Sequence, residues 1–197
     1  MQWSMKIMLN SHIRGFSDKL VYKSRFIEMF SEYKTKQLSD ISDITMGQSP
    51  DSNTYNSHGE GLAFYQGKTD FTDKYISSPK VWCKTPLRVA RAGDILMSVR
   101  APVGDVNITS KNCCIGRGLA SIRPKNLEST EFIFLALQQS KHKIASIGKG
   151  STFKAINKND VFSIKIPDAP LSLQKDFSNF SIQLDKSKFI CLYLCYF

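Results

Sequence analysis

No apolar run in this 197-residue chain is long enough to span a bilayer, which takes about 20 consecutive residues. The opening segment, Met1 to Leu9, has neither a continuous apolar core nor a small-residue cleavage site, so it makes a poor signal peptide. A cytoplasmic protein with no membrane role is expected. Cysteine is scarce and odd in number: there are five, Cys113 and Cys114 are adjacent, and none shows C-x2-C spacing. A disulfide framework and the usual zinc site are thereby excluded. The three histidines, His12, His58 and His142, share no metal-ligand spacing. Neither G-x-S-x-G, G-x-G-x-x-G nor H-E-x-x-H occurs, so acyl transfer, dinucleotide binding and zinc hydrolysis lack their local signatures. Acidic residues are few and scattered; Asp94 and Asp105 stand beside glycines and read as turn residues, while Asp40, Asp43 and Asp51 lie in polar segments. A nuclease needs clustered carboxylates for its metal. Neither a catalytic residue nor a metal site is expected.

What the chain does have is positive charge and one well-punctuated core. The net charge is +10 and the isoelectric point about 9.4, which suits a polyanionic partner. A hydrophobic content of 42% fills one core with an appended element, not two large domains. The centre of that core is Gly93 to Pro124, where short apolar runs are bounded by Gly, Pro, Asp and Asn, the pattern of short strands joined by tight turns.

Leu9, Ile13, Phe16, Leu20, Ile27 and Phe30 precede the core at steps of four and three, with Lys23 interrupting between Leu20 and Ile27, the stripe of a helix that faces a partner helix. From Gln37 the pattern shifts: a short helical turn passes into a strand by Gly47, and a polar loop covers residues 51–61. Further short strands are expected at 63–70, 81–83 and 87–90. After Pro124, Ser129 or Thr130 caps a helix whose Phe132–Leu137 run is apolar on nearly every side, so its first turns are buried; Gly148 should end it. Residues 141–165 carry six Lys and one Asp. Within them Gly148-Lys149-Gly150-Ser151-Thr152 gathers amides, hydroxyls and ammonium groups suited to phosphate, without Walker A spacing. Val161 to Pro167 reads as a final strand. A second stripe then follows at Leu173, Phe177, Phe180 and Leu184. The fold class is α+β: a twisted β core with a buried helix, flanked by two helices that pair as an antiparallel coiled coil. The boundaries fall at 1–34, 35–168 and 169–197.

An ordered set of segments resembles a known family. Gly93-Asp94-Ile95-Leu96-Met97-Ser98-Val99-Arg100 with Gly104, Gly116-Arg117-Gly118-Leu119-Ala120, Gly150-Ser151-Thr152-Phe153-Lys154-Ala155-Ile156, Ile164-Lys165-Ile166-Pro167 and Leu171-Ser172-Leu173-Gln174-Lys175 follow one another as in the target recognition domain of type I restriction-modification specificity subunits. Ser24 to Phe30 is similar to the end of that family's helix. The resemblance covers roughly residues 20–190 and implies a non-catalytic subunit. One recognition domain, 35–168, would read half of a split target in double-stranded DNA, with spacer-helix segments on either side. Implied partners are methyltransferase subunits, which bring S-adenosylmethionine and methylate adenine N6, and through them a restriction subunit. A full family member has two such domains and long helices, whereas this chain has one domain and its second helix runs into an all-round apolar tail; the expectation is a half-subunit that pairs with a second half-specificity subunit, a recombinable cassette or a truncated gene product. Alternatives are a recognition module of another DNA methyltransferase system and a small metal-dependent nuclease.

Residue chemistry and loop position nominate the contacts. Gln48, Ser49 and Asn53 in the first loop, Gln66, Lys68 and Thr69 after the third apolar run, and Arg100 at the end of the central strand are candidates to read base edges. Lys149, Ser151, Thr152 and Lys154 are candidates for phosphate. Arg117, between two glycines, reads as a turn or packing residue.

Overall fold

The computed structural model describes the backbone of residues 18–147 and 155–195, and the side chains of 24–147 and 155–183. It forms two compact units, residues 35–168 and residues 1–34 with 169–197. In chain order the elements are α1 (Asp18–Phe30), β1 (Thr35–Gln37), α2 (Leu38–Ile41), β2 (Ser42–Met46), β3 (Tyr55–Asn56), β4 (Leu62–Tyr65), β5 (Trp82–Cys83), β6 (Val89–Ala90) and β7 (Ile95–Ser98). They continue with β8 (Val106–Ile108), β9 (Cys113–Ile115), β10 (Leu119–Pro124), α3 (Thr130–Ile147), α4 (Lys158–Phe162), β11 (Lys165–Pro167) and α5 (Leu171–Cys195).

The 35–168 unit is built on two sheets. One has four strands in the order β2-β10-β7-β8, and the other five in the order β3-β5-β4-β9-β6. β10 lies inside the first sheet, antiparallel to β2 and β7, with Ile122 opposite both Ile44 and Ile95. Strands buried on both faces need apolar residues at successive positions, and Ile95–Ser98 and Leu119–Ile122 are buried throughout. In the second sheet β4 and β9 run parallel, Ala63 opposite Cys113 and Tyr65 opposite Ile115. A small third sheet pairs β1 with β11, and Lys36 meets Asp168 across it at 2.9 Å.

α3 places Phe132 through Leu137 and Ile144 in the core. A 3-10 turn, Leu127–Ser129, leads into it, and the Asn126 side chain accepts the Glu128 N–H there. The description of α3 ends at Ile147, so Gly148 as its stop lies outside the described residues. The expected strand from Val161 to Pro167 is corrected: Val161 and Phe162 belong to α4, and the strand is only Lys165–Pro167. The reason is a reciprocal cap. Asn157 accepts from the N–H groups of Asn159 and Asp160, while its own N–H donates to Asp160 Oδ2 at 2.8 Å. That satisfies the orphan donors of a first helical turn and outweighs the β preference of Val and Phe.

In the other unit, Phe26 and Phe30 of α1 meet Phe177 of α5 edge-on, with centroids 5.5 and 5.4 Å apart. The last turns of α1 thus face the first turns of α5, as in an antiparallel pair. Phe30 and Phe177 are buried, and Leu173 and Phe180 half-buried. Ile27 is a correction: it is 52% exposed. Phe26 lies one helical turn from Phe30 on the same face, whereas Ile27 is turned about 100° away from Phe26. Leu9, Ile13 and Phe16 lie outside the described residues, as do the side chains of Leu20 and Leu184.

Glycine is required where the chain crosses between the two sheets, in the Gly116-Arg117-Gly118 turn from β9 to β10. A Cβ on Gly118 would lie 2.3 Å from the Gln66 carbonyl oxygen, and one on Gly47 would lie 2.2 Å from that of Gly116. Gly67, with φ −157°, is extended and has open space around it. Gly118→Ala should therefore lower stability by about 2 kcal/mol or more, whereas Gly67→Ala should stay within about 1 kcal/mol of the parent. Urea unfolding of both variants checks this, and equal midpoints would remove the steric argument.

Candidate functional site

Four strand ends meet at the Gly116–Gly118 turn. Because β4 and β9 are parallel, their C-terminal ends arrive together: Gly116 N–H donates to the Tyr65 carbonyl at 2.8 Å and Gly118 N–H to that of Gln66 at 3.1 Å. The segment leaving β2 joins them, with Gly47 N–H donating to Leu119 O at 2.9 Å and Gln48 N–H to Ile115 O at 3.0 Å. Arg117 N–H donates to Ser49 Oγ at 3.2 Å. On the far side, Val99 N–H at the end of β7 donates to Gly118 O at 2.9 Å, and Ile156 N–H donates to Val99 O at 2.9 Å. Arg100 forms a β-bridge with Ala155. Gln48, Ser49, Gln66 and Arg100 thus emerge from one backbone junction; all but the half-buried Ser49 are exposed.

The other base-reading candidates are placed differently. Asn53 is exposed on a 3-10 turn, Ser52–Thr54, and Thr69 on another, Lys68–Asp70. Lys68 is engaged inside the fold: its Nζ donates to Asp105 Oδ2 at 2.8 Å, and Lys141 holds the other carboxylate oxygen. Lys149, Ser151, Thr152 and Lys154 lie outside the described residues.

Both loops that carry these candidates are held at their bases. In the first, the Tyr55 ring stacks on Phe64 with centroids 4.6 Å apart, and its hydroxyl donates to Pro50 O at 2.8 Å. Asn56 closes the loop by accepting from Glu60 N–H and donating to Glu60 O. The second is tied to β8 by buried Asn107, whose Oδ1 accepts Thr72 N–H at 2.9 Å and whose Nδ2 donates to Thr72 O at 2.8 Å. Tyr65 donates its hydroxyl to Ser77 O at 2.8 Å, and burial pushes its pKa up to about 12. Sequence reasoning missed the Asn107 anchor. The one signal for it was a polar residue between apolar Val106 and Ile108, which reads equally as the solvent side of a strand.

Asp94 and Asp105 do more than make turns. Asp94, 3% exposed, accepts from Arg91 N–H at 2.8 Å, from Ser121 Oγ at 2.7 Å and from the Arg123 guanidinium. It joins the start of β7 to the middle of β10. Burial works against the charge on Asp105, but hydrogen bonds from Lys141 and Lys68 outweigh it and hold the carboxyl below its ordinary range. Burial pushes the Cys113 and Cys114 thiols up to about 11, so at neutral pH they are packing residues, not nucleophiles. Among the described residues no group of three or more His, Cys, Asp or Glu is placed to hold a metal ion, and no helix is long and apolar enough to cross a membrane.

This junction of two anchored loops sits in a fold that known proteins share. The type I restriction modification DNA specificity domain matches residues 30–190, and the chain belongs to that family. It is 46% identical over 164 residues to a Methanocaldococcus jannaschii protein described as the type I restriction enzyme MjaX specificity subunit, a match covering 81% of this chain and 38% of that one. It is also similar to the crystal structure of the HsdS subunit from Thermoanaerobacter tengcongensis, with a TM-score of 0.75, 34% identity, and coverage of 94% of this chain and 48% of that one. A chain from a structural study of complex assembly and conformational transition in the type I restriction-modification system matches with a TM-score of 0.77 and 35% identity, over 95% of this chain and 49% of that one. This chain therefore spans half or less of the length of these relatives.

The Asp105 pairing generates a pH prediction. A depressed folded-state pKa contributes stability that is present above the ordinary carboxyl value of 3.8 and is lost as pH falls through the folded value. Asp105→Asn should cost about 1 to 2 kcal/mol at neutral pH, discounted because both lysines are partly exposed. The gap between parent and variant in thermal melts should close below pH 4; a gap independent of pH would assign the cost to packing instead.

Proposed function

We propose that this chain is a DNA sequence-recognition unit of a type I restriction-modification complex. Residues 35–168 act as a target recognition domain that reads one half of a bipartite target in double-stranded DNA. The observation that carries this reading is the junction at Gly116–Gly118. It sets two amide side chains, a hydroxyl and an arginine on one rigid backbone, in a chain of net charge +10. Amides pair bidentately with adenine and arginine with guanine, and a fixed backbone gives that pairing its geometry. Gln48, Ser49, Gln66 and Arg100 are the proposed inner readers, with Asn53 and Thr69 on the exposed turns as outer ones. Lys68 can join them only by giving up Asp105.

The chain itself is non-catalytic in this reading. Methyltransferase subunits bring S-adenosylmethionine and modify adenine N6, a restriction subunit acts through them, and α1 and α5 are spacer-helix segments by which the complex is assembled. A second half-specificity subunit, reading the other half of the bipartite target, is a further proposed partner. The basic stretch around Lys149, Ser151, Thr152 and Lys154 supplies phosphate contacts in this reading.

Co-expression with a cognate methyltransferase subunit, followed by mapping of methylated adenines, tests the whole reading. A single recurring sequence context is expected, and no sequence-dependent methylation would sink it. Within that complex, Gln66→Ala should relax the context at one position, at a cost of about 1 to 3 kcal/mol. Lys149→Ala and Lys154→Ala should weaken binding to every duplex alike, each flattening the plot of log affinity against log salt by about 0.9. An unchanged slope would take them off the phosphate list.

A further inference from the structure

The junction also exposes a residue that the spacing of the sequence assigned to a turn. Arg117 is at its tip, and its side chain is exposed while Gly116 and Gly118 on either side are buried. The three backbone amides of the turn are all engaged internally, to Tyr65 O, Ser49 Oγ and Gln66 O. Of its hydrogen-bond donors, the turn therefore leaves only the guanidinium for a partner. Among the described residues Arg117 makes no ion pair and its guanidinium no hydrogen bond, whereas Lys68, Lys141 and Arg123 are each held by a carboxylate.

Resting on the DNA-reading function above, we propose that Arg117 is a phosphate-contact residue that sets the register of both recognition loops on the duplex. Two features separate this role from base reading. Its backbone is held by the amides of Gly116 and Gly118 in a junction that admits no Cβ at Gly47 or Gly118, with one loop side chain, Ser49, accepting the Arg117 N–H, so the position of residue 117 is set mainly by the scaffold. Its guanidinium plane, by contrast, is fixed by no hydrogen bond among the described residues, and glycines flank it on both sides. Bidentate base recognition needs an oriented fork, while a phosphate accepts positive charge over a wide range of approach. A well-placed charge with a free plane fits a backbone contact, and phosphate contacts position a protein without specifying its sequence.

The test uses the full chain assembled with its methyltransferase subunits, binding a duplex that contains the methylated site and an unrelated duplex across a salt series. Arg117→Ala should weaken binding about tenfold to both duplexes and lower the salt slope by about 0.9, with the context of methylated adenines unchanged. Arg117→Lys should keep the slope, because an ammonium replaces a guanidinium at a phosphate but not in a bidentate base pair. Thermal melts of both variants should match the parent, since the side chain is exposed. A changed methylation context, or a loss in Arg117→Lys as large as in Arg117→Ala, would overturn the phosphate assignment in favour of base reading. An Arg117→Ala complex with the parent's slope and affinity would overturn any DNA contact by this residue while leaving the other readers standing. Absence of DNA binding by the parent complex would take down both this assignment and the DNA-reading function.

Discussion

The structure depends on the close approach of three backbone segments, which only missing side chains permit. At Gly116–Gly118 the chain leaves the five-stranded sheet and enters the four-stranded one, and a Cβ at Gly47 or Gly118 would fall within 2.3 Å of a carbonyl oxygen. Because the glycines let these segments touch, their amides and carbonyls pair with one another and not with water. A buried backbone group left unpaired costs about as much as a lost hydrogen bond, so the junction is stable only as a whole. Everything displayed from it inherits that rigidity.

Charge is partitioned by the same architecture. The chain has 27 Lys and Arg against 17 Asp and Glu. Asp94 and Asp105, the acids nearest the core, are engaged with Arg123, Lys68 and Lys141. Asp94 ties β7 to β10 through Ser121 and Arg123, and Asp105 ties the turn before β8 to α3 and to the segment after β4. These pairs hold elements together and neutralise three cations within the unit. Arg117 and Arg100 emerge at the junction without a carboxylate among the described residues, which leaves their charge available in the proposed reading.

The sequence revealed local elements better than their assembly. Gly, Pro, Asp and Asn marked the strands between Gly93 and Pro124 because tight turns need those residues at fixed offsets. The buried helix was legible because Phe132 to Leu137 has no polar side to expose. Two sheets and a parallel β4–β9 pair were not legible, since Ala63 and Cys113 lie far apart in the chain and nothing local records their partnership. At Val161 the strand pattern misled, although Asn157 and Asp160 carried the opposing signal at capping-box spacing. At Ile27 a step of three was preferred to the aromatic pair at a step of four. Within the candidate site, residue type drew attention to the amides that the fold gathers at the junction but not to Arg117, because flanking glycines imply a turn and say nothing about which way its side chain points. Lys68 shows the converse limit: its charge was legible, its commitment to Asp105 was not.

The anchors explain how such a site tolerates changes in its readers. Tyr55 on Phe64 and Asn107 on Thr72 fix where each loop begins and ends with contacts that face the core. Asn53, Gln66 and Thr69 point outward from those frames. Exposed substitutions away from caps and ion pairs usually change stability by no more than about 0.5 kcal/mol. The cost of altering a reader is thus nearly independent of the cost of holding the loop. Exposed side chains on these loops can change one by one while the junction beneath them stays the same; in the proposed reading, a contact common to every sequence belongs on that junction, where Arg117 stands.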